Sequence, residues 1–158
     1  MSEFEPVIYD IDNPLVSILV YNYNYGRYLE ECLESLARQT YSNIEIVFSD
    51  NASTDNSWDI ALEFVKKYPG KMTITRNRTN LGVDANFRNC FMNLRGKYFV
   101  NMCSDDVLAP EFTQKCVQAF QSNCELGFVM VHRDIIDGEG NRTDEVPFYN
   151  QSCEINGH

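Results

Sequence analysis

The feature that most constrains the fold of this chain is a regular alternation of short apolar runs with amphipathic helical patterns. Residues 15–21 form a nearly continuous apolar stretch rich in β-branched side chains, which is typical of a strand covered on both faces. Apolar residues then recur at the i, i+3, i+4, i+7 spacing of a helix that ends near Gln39, namely Leu29, Cys32, Leu33 and Leu36. The pattern predicts a strand followed by a helix that covers it.

The same unit repeats along the chain. Further strands are predicted at 44–49, 72–76, 97–102 and 126–131. Helical patterns lie between consecutive strands, at 58–65, at 87–94 with Gly96 as its terminating glycine, and from Pro110 onward. After the last strand, residues 137–140 (Asp-Gly-Glu-Gly) predict a hairpin. Alternating strands and helices predict an α/β fold, a Rossmann-like, doubly wound and mostly parallel sheet.

We expect one domain from residue 14 to residue 158. Residues 1–13 show no periodicity and end at the turn-forming pair Asn13-Pro14, so we interpret them as a lead-in segment. Hydrophobic residues make up 44% of the chain and charged residues 23%, which is enough apolar surface to build a core. The six cysteines form no C-x-x-C pair, and we expect most of them to be small core residues.

The charge of the chain excludes some partners. Thirteen Lys and Arg against 23 Asp and Glu give a net charge of −10, which repels nucleic acid and anionic lipid. An anionic small molecule would then need a metal ion or a local group of donors. The acidic N-terminus lacks the apolar core of a leader peptide, and no apolar run approaches the ~18 residues that span a bilayer, so we expect a cytoplasmic protein.

Ligands of doubly wound sheets bind outside the carboxyl ends of the strands, which directs attention to the loops after the first, second and fourth strands. The adjacent carboxylates Asp105 and Asp106 follow the fourth strand. They could hold a cation, or Asp106 could cap the helix that opens at Pro110. Asp50 follows the second strand, where it could form an Asx-turn or accept a hydrogen bond from a base or sugar.

Other polar residues have simpler alternatives. Asp84 is expected to cap the third helix. His132 could be buried and hydrogen-bonded or could line a site. Three arginines are candidates for contacts to a diphosphate, although solvated surface is the expectation for each: Arg76, Arg78 and Arg88.

Missing motifs exclude several classes of protein. The chain has no G-x-G-x-x-G after its first strand and no G-x-x-x-x-G-K-[ST], which argues against dinucleotide-dependent enzymes and P-loop NTPases. It has no G-x-S-x-G elbow and no paired His or Cys at zinc-ligand spacing. A site of carboxylates for Mg²⁺ or Mn²⁺ and a phosphorylated substrate remains.

In order and spacing, a set of segments spread over residues 14–140 resembles family 2 glycosyltransferases. They are 14–24, 35–39 (Ser-Leu-Ala-Arg-Gln), 44–55 (ending Asp-Asn-Ala-Ser-Thr-Asp), 80–82 (Asn-Leu-Gly), 96–98 and 104–106 (Ser-Asp-Asp). The resemblance implies the GT-A fold with strand order 3-2-1-4 and additional edge strands. It also implies a nucleotide-diphosphate sugar donor, a divalent Mg²⁺ or Mn²⁺ ion, and inversion at the anomeric centre.

The resemblance also implies roles for individual residues. Asp50 falls at the nucleobase, with Tyr21 and Asn22 beside the base and ribose. Asp105 falls on the metal ligand of the family's D-x-D region, with Asp106 as its neighbour. Many relatives carry an Asp where this chain has Cys103, so Ser104 is the candidate for the ribose contact.

The implied activity is sugar transfer to a saccharide, a lipid-linked or another hydroxyl acceptor, in the synthesis of surface glycans or polysaccharides. In the family the catalytic base lies well downstream of the D-x-D region, so we expect it beyond His158, in a longer enzyme whose other regions could associate with a membrane. The main alternative is a nucleotide-sugar-binding module without transferase activity. A receiver-type signalling domain would carry its acid pair after the first strand, whereas this pair follows the fourth.

Overall fold

The computed structural model describes residues 9–143. Strands and helices alternate in chain order: β1 Val16–Asn22, α1 Gly26–Ala37, β2 Ile44–Asp50, α2 Ser57–Lys67, β3 Met72–Arg76, α3 Val83–Phe91, β4 Tyr98–Cys103 and α4 Phe112–Ser122. These bounds lie within a few residues of the predicted ones for all four strands, and the alternation predicted from the sequence is confirmed.

The four strands form one parallel sheet in the order β3-β2-β1-β4, which confirms the predicted α/β architecture. Val16 at the start of β1 pairs with Ile44 of β2 and Tyr98 of β4. At the other end of the strands, Asn22 pairs with Asp50, and Asp50 with Arg76. This register brings the polar loops after β1, β2 and β4 to one edge of the sheet.

The packing of the core explains why β1 is continuously apolar and does not alternate between apolar and polar residues. One face of β1 contributes Ile18 and Val20 to a cluster that also contains the buried face of α1. The opposite face contributes Leu19, which packs with Val47 and with Cys90 of α3. Because both faces are covered, every position from 16 to 20 is buried, as in other parallel sheets.

The fifth strand predicted at 126–131 is wrong, since these residues have no strand conformation. Phe128 and Met130 are exposed, and within the described residues no strand pairs with this segment. An apolar run forms a strand only where a neighbouring strand supplies the hydrogen bonds of a ladder, and a sequence pattern does not show that neighbour. The hairpin after it is confirmed by an antiparallel bridge between Ile136 and Arg142.

Gly96 does not terminate the third helix, because α3 ends at Phe91. Gly96 is required by a close approach to β1. A Cβ atom built on it would lie 2.6 Å from the backbone nitrogen of Ser17 and 2.8 Å from the carbonyl oxygen of Tyr98. A glycine before a parallel strand can therefore mark tight strand packing as well as the end of a helix.

Two predicted helix starts differ from the structure. Asp84 is not the cap of α3, because Gly82 takes the capping position with a φ of 85°, a conformation that favours glycine. Asp84 lies in the first turn, where its charge still complements the helix dipole. The fourth helix begins at Phe112, after a turn at Pro110 and Glu111.

The expectation that most cysteines are core residues holds only in part. Cys32 and Cys90 are fully buried, and burial raises the pKa of the Cys90 thiol to about 12. Cys116 is partly buried, whereas Cys103 and Cys124 are exposed. Cys153 lies outside the described residues.

The chain divides into two compact units, Met1–Gln118 and Ala119–His158, with the boundary inside α4. The sheet and the polar loops after its strands belong to the first unit. No helix in the described part of the chain is long and apolar enough to cross a membrane.

Candidate functional site

The end of β1 carries a buried amide. Asn22 is 1% exposed, and its Nδ2 donates to Asp50 Oδ1 at 3.1 Å and to Ser53 Oγ at 3.1 Å. Its Oδ1 is buried and has no hydrogen-bond partner among residues 9–143. Buried polar atoms are nearly always paired. This oxygen is therefore a buried hydrogen-bond acceptor that no described residue satisfies.

The carboxylate at the end of β2 is held on several sides. Asp50 is fully buried, and its Oδ2 lies 3.0 Å from Arg76 Nε and accepts the backbone N–H of Ser53 at 3.1 Å. Asp50 therefore bonds the backbone of its own loop, as its structural alternative expected, but to the N–H three residues on rather than to the N–H two residues on that defines an Asx-turn. Arg76 also donates to the Ser53 carbonyl at 2.7 Å and lies over the ring of Trp58. The Arg76 side chain is partly exposed, but its guanidinium is bonded to Asp50 and to the Ser53 carbonyl. The expectation that Arg76 is simply solvated is therefore wrong.

The loops after β1 and β2 are joined directly. Asn24 donates its backbone N–H to Ser53 Oγ at 2.9 Å and accepts the backbone N–H of Thr54 at 2.8 Å. Asn24 has a φ of 58° and Ala52 a φ of 60°, which places both in the left-handed region. This region is ordinary for Asn but costs about 1–2 kcal/mol for Ala, so the contacts of the loop hold Ala52 there.

An asparagine cluster links the second loop to α3. Asn51 donates to Asn80 Oδ1 at 2.8 Å and accepts from Asn77 Nδ2 at 2.9 Å. The buried Asn86 of α3 donates to the carbonyls of Ser49 and Asn22. These bonds fix the loop after β2 against the loop before α3 and against α3 itself.

The third loop is a tight acidic turn after β4. The backbone N–H of Asp106 donates to the Cys103 carbonyl at 3.2 Å, and the N–H of Cys103 donates to Asp106 Oδ2 at 3.3 Å. Ser104 is buried beneath the turn. Asp105 makes no hydrogen bond or ion pair within residues 9–143 and is exposed. Asp106 therefore holds the turn rather than capping α4, while the Asp105 carboxylate is available.

The segment after the acidic turn is anchored to α1 and the loop that follows it. The N–H of Leu108 donates to Ser35 Oγ at 3.2 Å, and Gln39 donates to the Ala109 carbonyl at 2.8 Å. Gln39 also accepts from the N–H of Thr113 at 3.1 Å. Because both ends of the acidic loop are fixed, its carboxylates have a defined place relative to β1.

The carboxyl ends of β1 and β4 are also in contact. Tyr21 Oη lies 3.7 Å from Cys103 Sγ, and the Tyr21 ring packs edge-on against Phe87. Burial and the contact with Cys103 raise the pKa of the Tyr21 phenol above its usual range, so it stays protonated at neutral pH. A neutral hydroxyl at this position can donate a hydrogen bond.

Some candidate residues do not join the site. Arg78 and Arg88 are exposed, as expected. His132 belongs to the second unit, where its Nε2 lies 3.6 Å from Asp134 Oδ1, and its side chain is 40% exposed. A groove of about 630 Å³ lies between α1 and α2, lined by Leu33, Phe64 and several charged side chains, and it includes none of the predicted site residues.

The residues after β4 fit a divalent cation. Within the described residues, the cluster that could hold a metal is formed by Cys103, Asp105 and Asp106, whose ligand atoms all lie within 4.8 Å of one another. Two atoms bound to one ion at 2.0–2.3 Å can be no more than about 4.5 Å apart, so exposed side chains need only small rotations to meet this limit. The two carboxylates are hard oxygen ligands of the kind that Mg²⁺ and Mn²⁺ use.

Residues 17–155 match the model of the family described as Glycosyl transferase family 2. This chain belongs to glycosyltransferase family 2. It is 37% identical over 130 residues to an uncharacterized glycosyltransferase of Nostoc, covering 82% of this chain and 40% of the relative. It is 33% identical over 130 residues to chondroitin synthase of Escherichia coli, covering 81% of this chain and 18% of that protein. The chain thus spans less than half the length of these family 2 relatives.

Solved structures show the same architecture. TarS 1-349 of Staphylococcus aureus superposes with a TM-score of 0.64 at 26% identity, covering 70% of this chain and 33% of that one. The mannosyltransferase PcManGT of Pyrobaculum calidifontis, solved in complex with GDP-Man and Mn²⁺, superposes with a TM-score of 0.63 at 22% identity, covering 76% and 35%. The predicted family 2 resemblance and GT-A-type fold are confirmed.

Two features of this family 2 site were not predicted from the sequence. The ion pair between Asp50 and Arg76 follows from the register of β2 and β3, in which the two residues are partners. The position of Asn86 follows from the packing of α3 on the sheet. The ion pair could have been suggested from the sequence, because Asp50 and Arg76 are the last residues of two consecutive strands, and consecutive strands are often neighbours in a parallel sheet.

Proposed function

We propose that this chain forms the donor-binding part of a metal-dependent glycosyltransferase. The enzyme would transfer a sugar from a nucleotide-diphosphate sugar to the hydroxyl of a saccharide or lipid-linked acceptor during polysaccharide or surface-glycan synthesis. The observation that carries the proposal is that the polar cluster around Asp50 and the acidic turn at Asp105 both lie at the carboxyl ends of strands in one parallel sheet of a family 2 chain. A cytoplasmic location stays a prediction.

We assign the nucleoside to the loops after β1 and β2. The unpartnered Oδ1 of Asn22 is a hydrogen-bond acceptor, and the preceding residue of β1, Tyr21, supplies a neutral hydroxyl and an aromatic ring on the other face of the sheet. Asp50 lies at the nucleobase in this proposal. Because it is buried and bonded to both Asn22 and Arg76, its main effect is to orient those two side chains.

We assign the diphosphate to the acidic turn. Asp105 would hold the divalent cation with Asp106 beside it, and the ion would neutralise the charge that develops on the leaving nucleoside diphosphate. Ser104 is the candidate for a ribose contact. Since the chain carries a net charge of −10 and two carboxylates at this turn, a diphosphate would be repelled without such a cation.

Support for the donor class comes from related structures. TarS 1-349 has been solved in complex with UDP and in complex with UDP-GlcNAc, and PcManGT with GDP-Man and Mn²⁺. The base and sugar differ between these neighbours. For this chain we therefore propose the class of donor, a nucleotide-diphosphate sugar, without choosing among its members.

Calorimetry with UDP, GDP and dTDP, each with and without Mn²⁺, tests the proposal. We expect metal-dependent binding of one nucleotide to the full chain and a loss of at least about tenfold in affinity in Asp105→Ala, as for removal of a principal metal ligand. Glu30→Ala is the matched control, since Glu30 is an exposed carboxylate on α1. Binding that is independent of metal and of Asp105 would contradict the assignment of the acidic turn.

A nucleotide-sugar-binding module without transferase activity is the alternative. Release of the nucleoside diphosphate from the preferred nucleotide sugar, followed over time, separates the two. Turnover supports a transferase, and binding of the intact donor without turnover supports the module.

A further inference from the structure

We propose that Asp55 is a positioning residue for the nucleotide: its carboxylate ties the start of α1 to the loop after β2, and this tie keeps the two loops assigned to the nucleoside in a fixed relation. The inference rests on the proposed function, because it deepens the assignment of the nucleoside to the loops after β1 and β2. Asp55 does not touch the nucleotide in this proposal. It acts through the backbone of the loops that follow Asn22 and Asp50.

The Asp55 carboxylate serves the amino-terminal ends of two helices. Its Oδ2 accepts the backbone N–H of Gly26, the first residue of α1, at 2.8 Å. Its Oδ1 accepts the backbone N–H of Ser57, the first residue of α2, at 3.0 Å and the Ser57 hydroxyl at 2.6 Å. Tyr25 and Asn56, which precede the two helices, make no capping hydrogen bond with their side chains. Asp55 therefore supplies the side-chain acceptor that both helix ends lack.

The bond from Asp55 to α1 is the last in a series of links between the two loops. At the strand ends, Asn22 Nδ2 donates to Asp50 Oδ1 at 3.1 Å. Two residues further along the first loop, Asn24 Oδ1 accepts the backbone N–H of Thr54 at 2.8 Å. The bond from α1 to Asp55 follows one step later in each loop. Loss of this last link frees both loops at the point where they enter their helices.

A glycine at the start of α1 makes this link possible. A Cβ atom built on Gly26 would lie 3.0 Å from Asp55 Oδ2 and closer still to Asn56 Oδ1. A side chain at this position would therefore push the loop after β2 away from the helix. Gly26 and Ser57 are both buried, so the groups that donate to Asp55 are shielded from competing water.

The charge of Asp55 strengthens its bonds. Burial opposes ionisation, but the hydrogen bonds from Ser57 and Gly26 outweigh it and hold the pKa of the Asp55 carboxyl below its usual range. The carboxylate is therefore charged at neutral pH, and a negative charge at the amino-terminal end of a helix interacts favourably with the helix dipole. A neutral side chain with one acceptor oxygen would hold the two loops less firmly.

Calorimetry of the full chain with UDP, GDP and dTDP in the presence of Mn²⁺ tests the proposal, together with titration of Mn²⁺ alone and urea denaturation. The variants are Asp55→Ala, which removes both acceptor oxygens, and Asp55→Asn, which keeps one. Ser57→Ala is the matched control, because it removes one bond to the same carboxylate and leaves the link between Asp55 and Gly26 in place.

We expect Asp55→Ala to bind the preferred nucleotide about tenfold more weakly than the wild type, as for the loss of a hydrogen bond to a charged group. Asp55→Asn should have an intermediate affinity. Ser57→Ala should keep an affinity close to that of the wild type even though its urea midpoint falls. The affinity for Mn²⁺ alone should be unchanged in all three variants, because the acidic turn follows β4 and shares no hydrogen bond with Asp55 among residues 9–143.

Wild-type nucleotide affinity in Asp55→Ala and Asp55→Asn, with a lower urea midpoint, would make Asp55 a helix cap only. That result overturns the inference and leaves the proposed function intact. An equal loss of nucleotide affinity in Ser57→Ala, or a parallel loss of Mn²⁺ affinity in Asp55→Ala, overturns it as well, since either indicates a general loss of structure. If Asp55→Ala does not fold, Asp55→Asn decides by the same comparison. If the wild type binds none of the three nucleotides, the proposed function fails and the inference fails with it.

Discussion

The two ends of the parallel sheet both carry polar clusters between strands, but the clusters differ in how completely their groups are paired. At the amino end, Ser17 donates to Glu45, which also accepts from the backbone and guanidinium of Arg95. Ser17 Oγ in turn accepts the N–H of Gly96. At the carboxyl end, Asn22 keeps an unpaired buried oxygen, and Asp105 has no partner among residues 9–143.

This difference separates structural polar groups from groups available to a ligand. A buried hydrogen-bonded network that is complete within the chain stabilises the fold and has no capacity left for another molecule. Unpaired acceptors at the carboxyl ends of parallel strands lie where doubly wound folds bind their ligands. Substitutions at the two ends should therefore affect different measurements, stability at one end and binding at the other.

Asp50→Asn should have the largest effect, and it tests whether pairing or position in the sheet decides the role of a carboxylate. Asp50 lies at the carboxyl end of the sheet, yet its oxygens are paired. The neutral amide loses the ion pair with Arg76 and directs an N–H toward donors, so we expect a loss of about 2–3 kcal/mol in the free energy of unfolding. Nucleotide affinity should fall as well, since Asn22 loses its partner. Urea denaturation and calorimetry measure the two effects.

Asp105→Asn is the matched control for Asp50→Asn, with the same chemical change at an exposed, unpaired carboxylate. It should leave the urea midpoint nearly unchanged and reduce only metal-dependent binding. Equal destabilisation by the two substitutions would mean that pairing does not distinguish the two carboxylates.

Gly96→Ala tests the amino end by steric means. The new Cβ would lie within 2.8 Å of Ser17 and Tyr98 backbone atoms, so β1 or β4 must shift, and we expect about 2 kcal/mol of destabilisation in urea. Gly127→Ala is the control, because a Cβ there meets no atom within 4 Å. Metal and nucleotide affinities of the folded variant should stay close to those of the wild type. A loss of binding that exceeds the loss of stability would show that the two ends are coupled.

Glu45→Gln tests the amino end by charge. Burial opposes ionisation of Glu45, but hydrogen bonds from Ser17 and Arg95 outweigh it and hold the pKa of this carboxyl below its usual range. The charged form therefore stabilises the fold above the unfolded-state pKa of about 4.3, and this contribution is lost as the pH falls through the lower folded-state pKa.

We accordingly expect Glu45→Gln to be less stable than the wild type by about 1–2 kcal/mol at pH 7, with the difference shrinking below about pH 4. Urea midpoints at several pH values give this profile. Glu30→Gln, at an exposed position of α1, supplies the control. A difference between wild type and Glu45→Gln that grows on acidification would contradict the sign argued here.

Local periodicity was enough to predict the four strands of the sheet. The run from 15 to 21 and the stripe on α1 are dictated by burial, which acts within a few residues of sequence. The segment at 126–131 is also apolar but has no strand partner in the described residues, and periodicity carries no information about partners. Gly96 was misassigned for a similar reason, since its cause is the neighbouring strand.

The location of the candidate site could be predicted, but its internal pairing could not. Loops after β1, β2 and β4 were identified because parallel topology brings strand ends together. Whether a given carboxylate is paired depends on side chains that are distant in sequence, as with Arg76 for Asp50. Roles for Asp50, Asp105 and the residues beside them stay predictions until binding is measured.

Ala52→Gly should produce the smallest effect and sharpens the comparison within the carboxyl end. Ala52 has a φ of 60°, and glycine would relieve about 1–2 kcal/mol of backbone strain while losing about 0.5–1 kcal/mol to its greater freedom when unfolded. The net result should be a stabilisation of about 1 kcal/mol or less in urea. Ala85→Gly is the control, because Ala85 is in α3, where glycine costs about 1 kcal/mol.

The same variant should show what holding Ala52 in the left-handed region contributes to the loop between Asp50 and Asp55. If the contacts of Asn24 and Ser53 fix the loop, nucleotide affinity will be unchanged while stability rises. If affinity falls as stability rises, the Ala52 side chain restricts the loop to its binding conformation. In that case the loop between Asp50 and Asp55 would contribute to nucleotide binding by keeping Ala52 in a backbone conformation that lowers the stability of the fold.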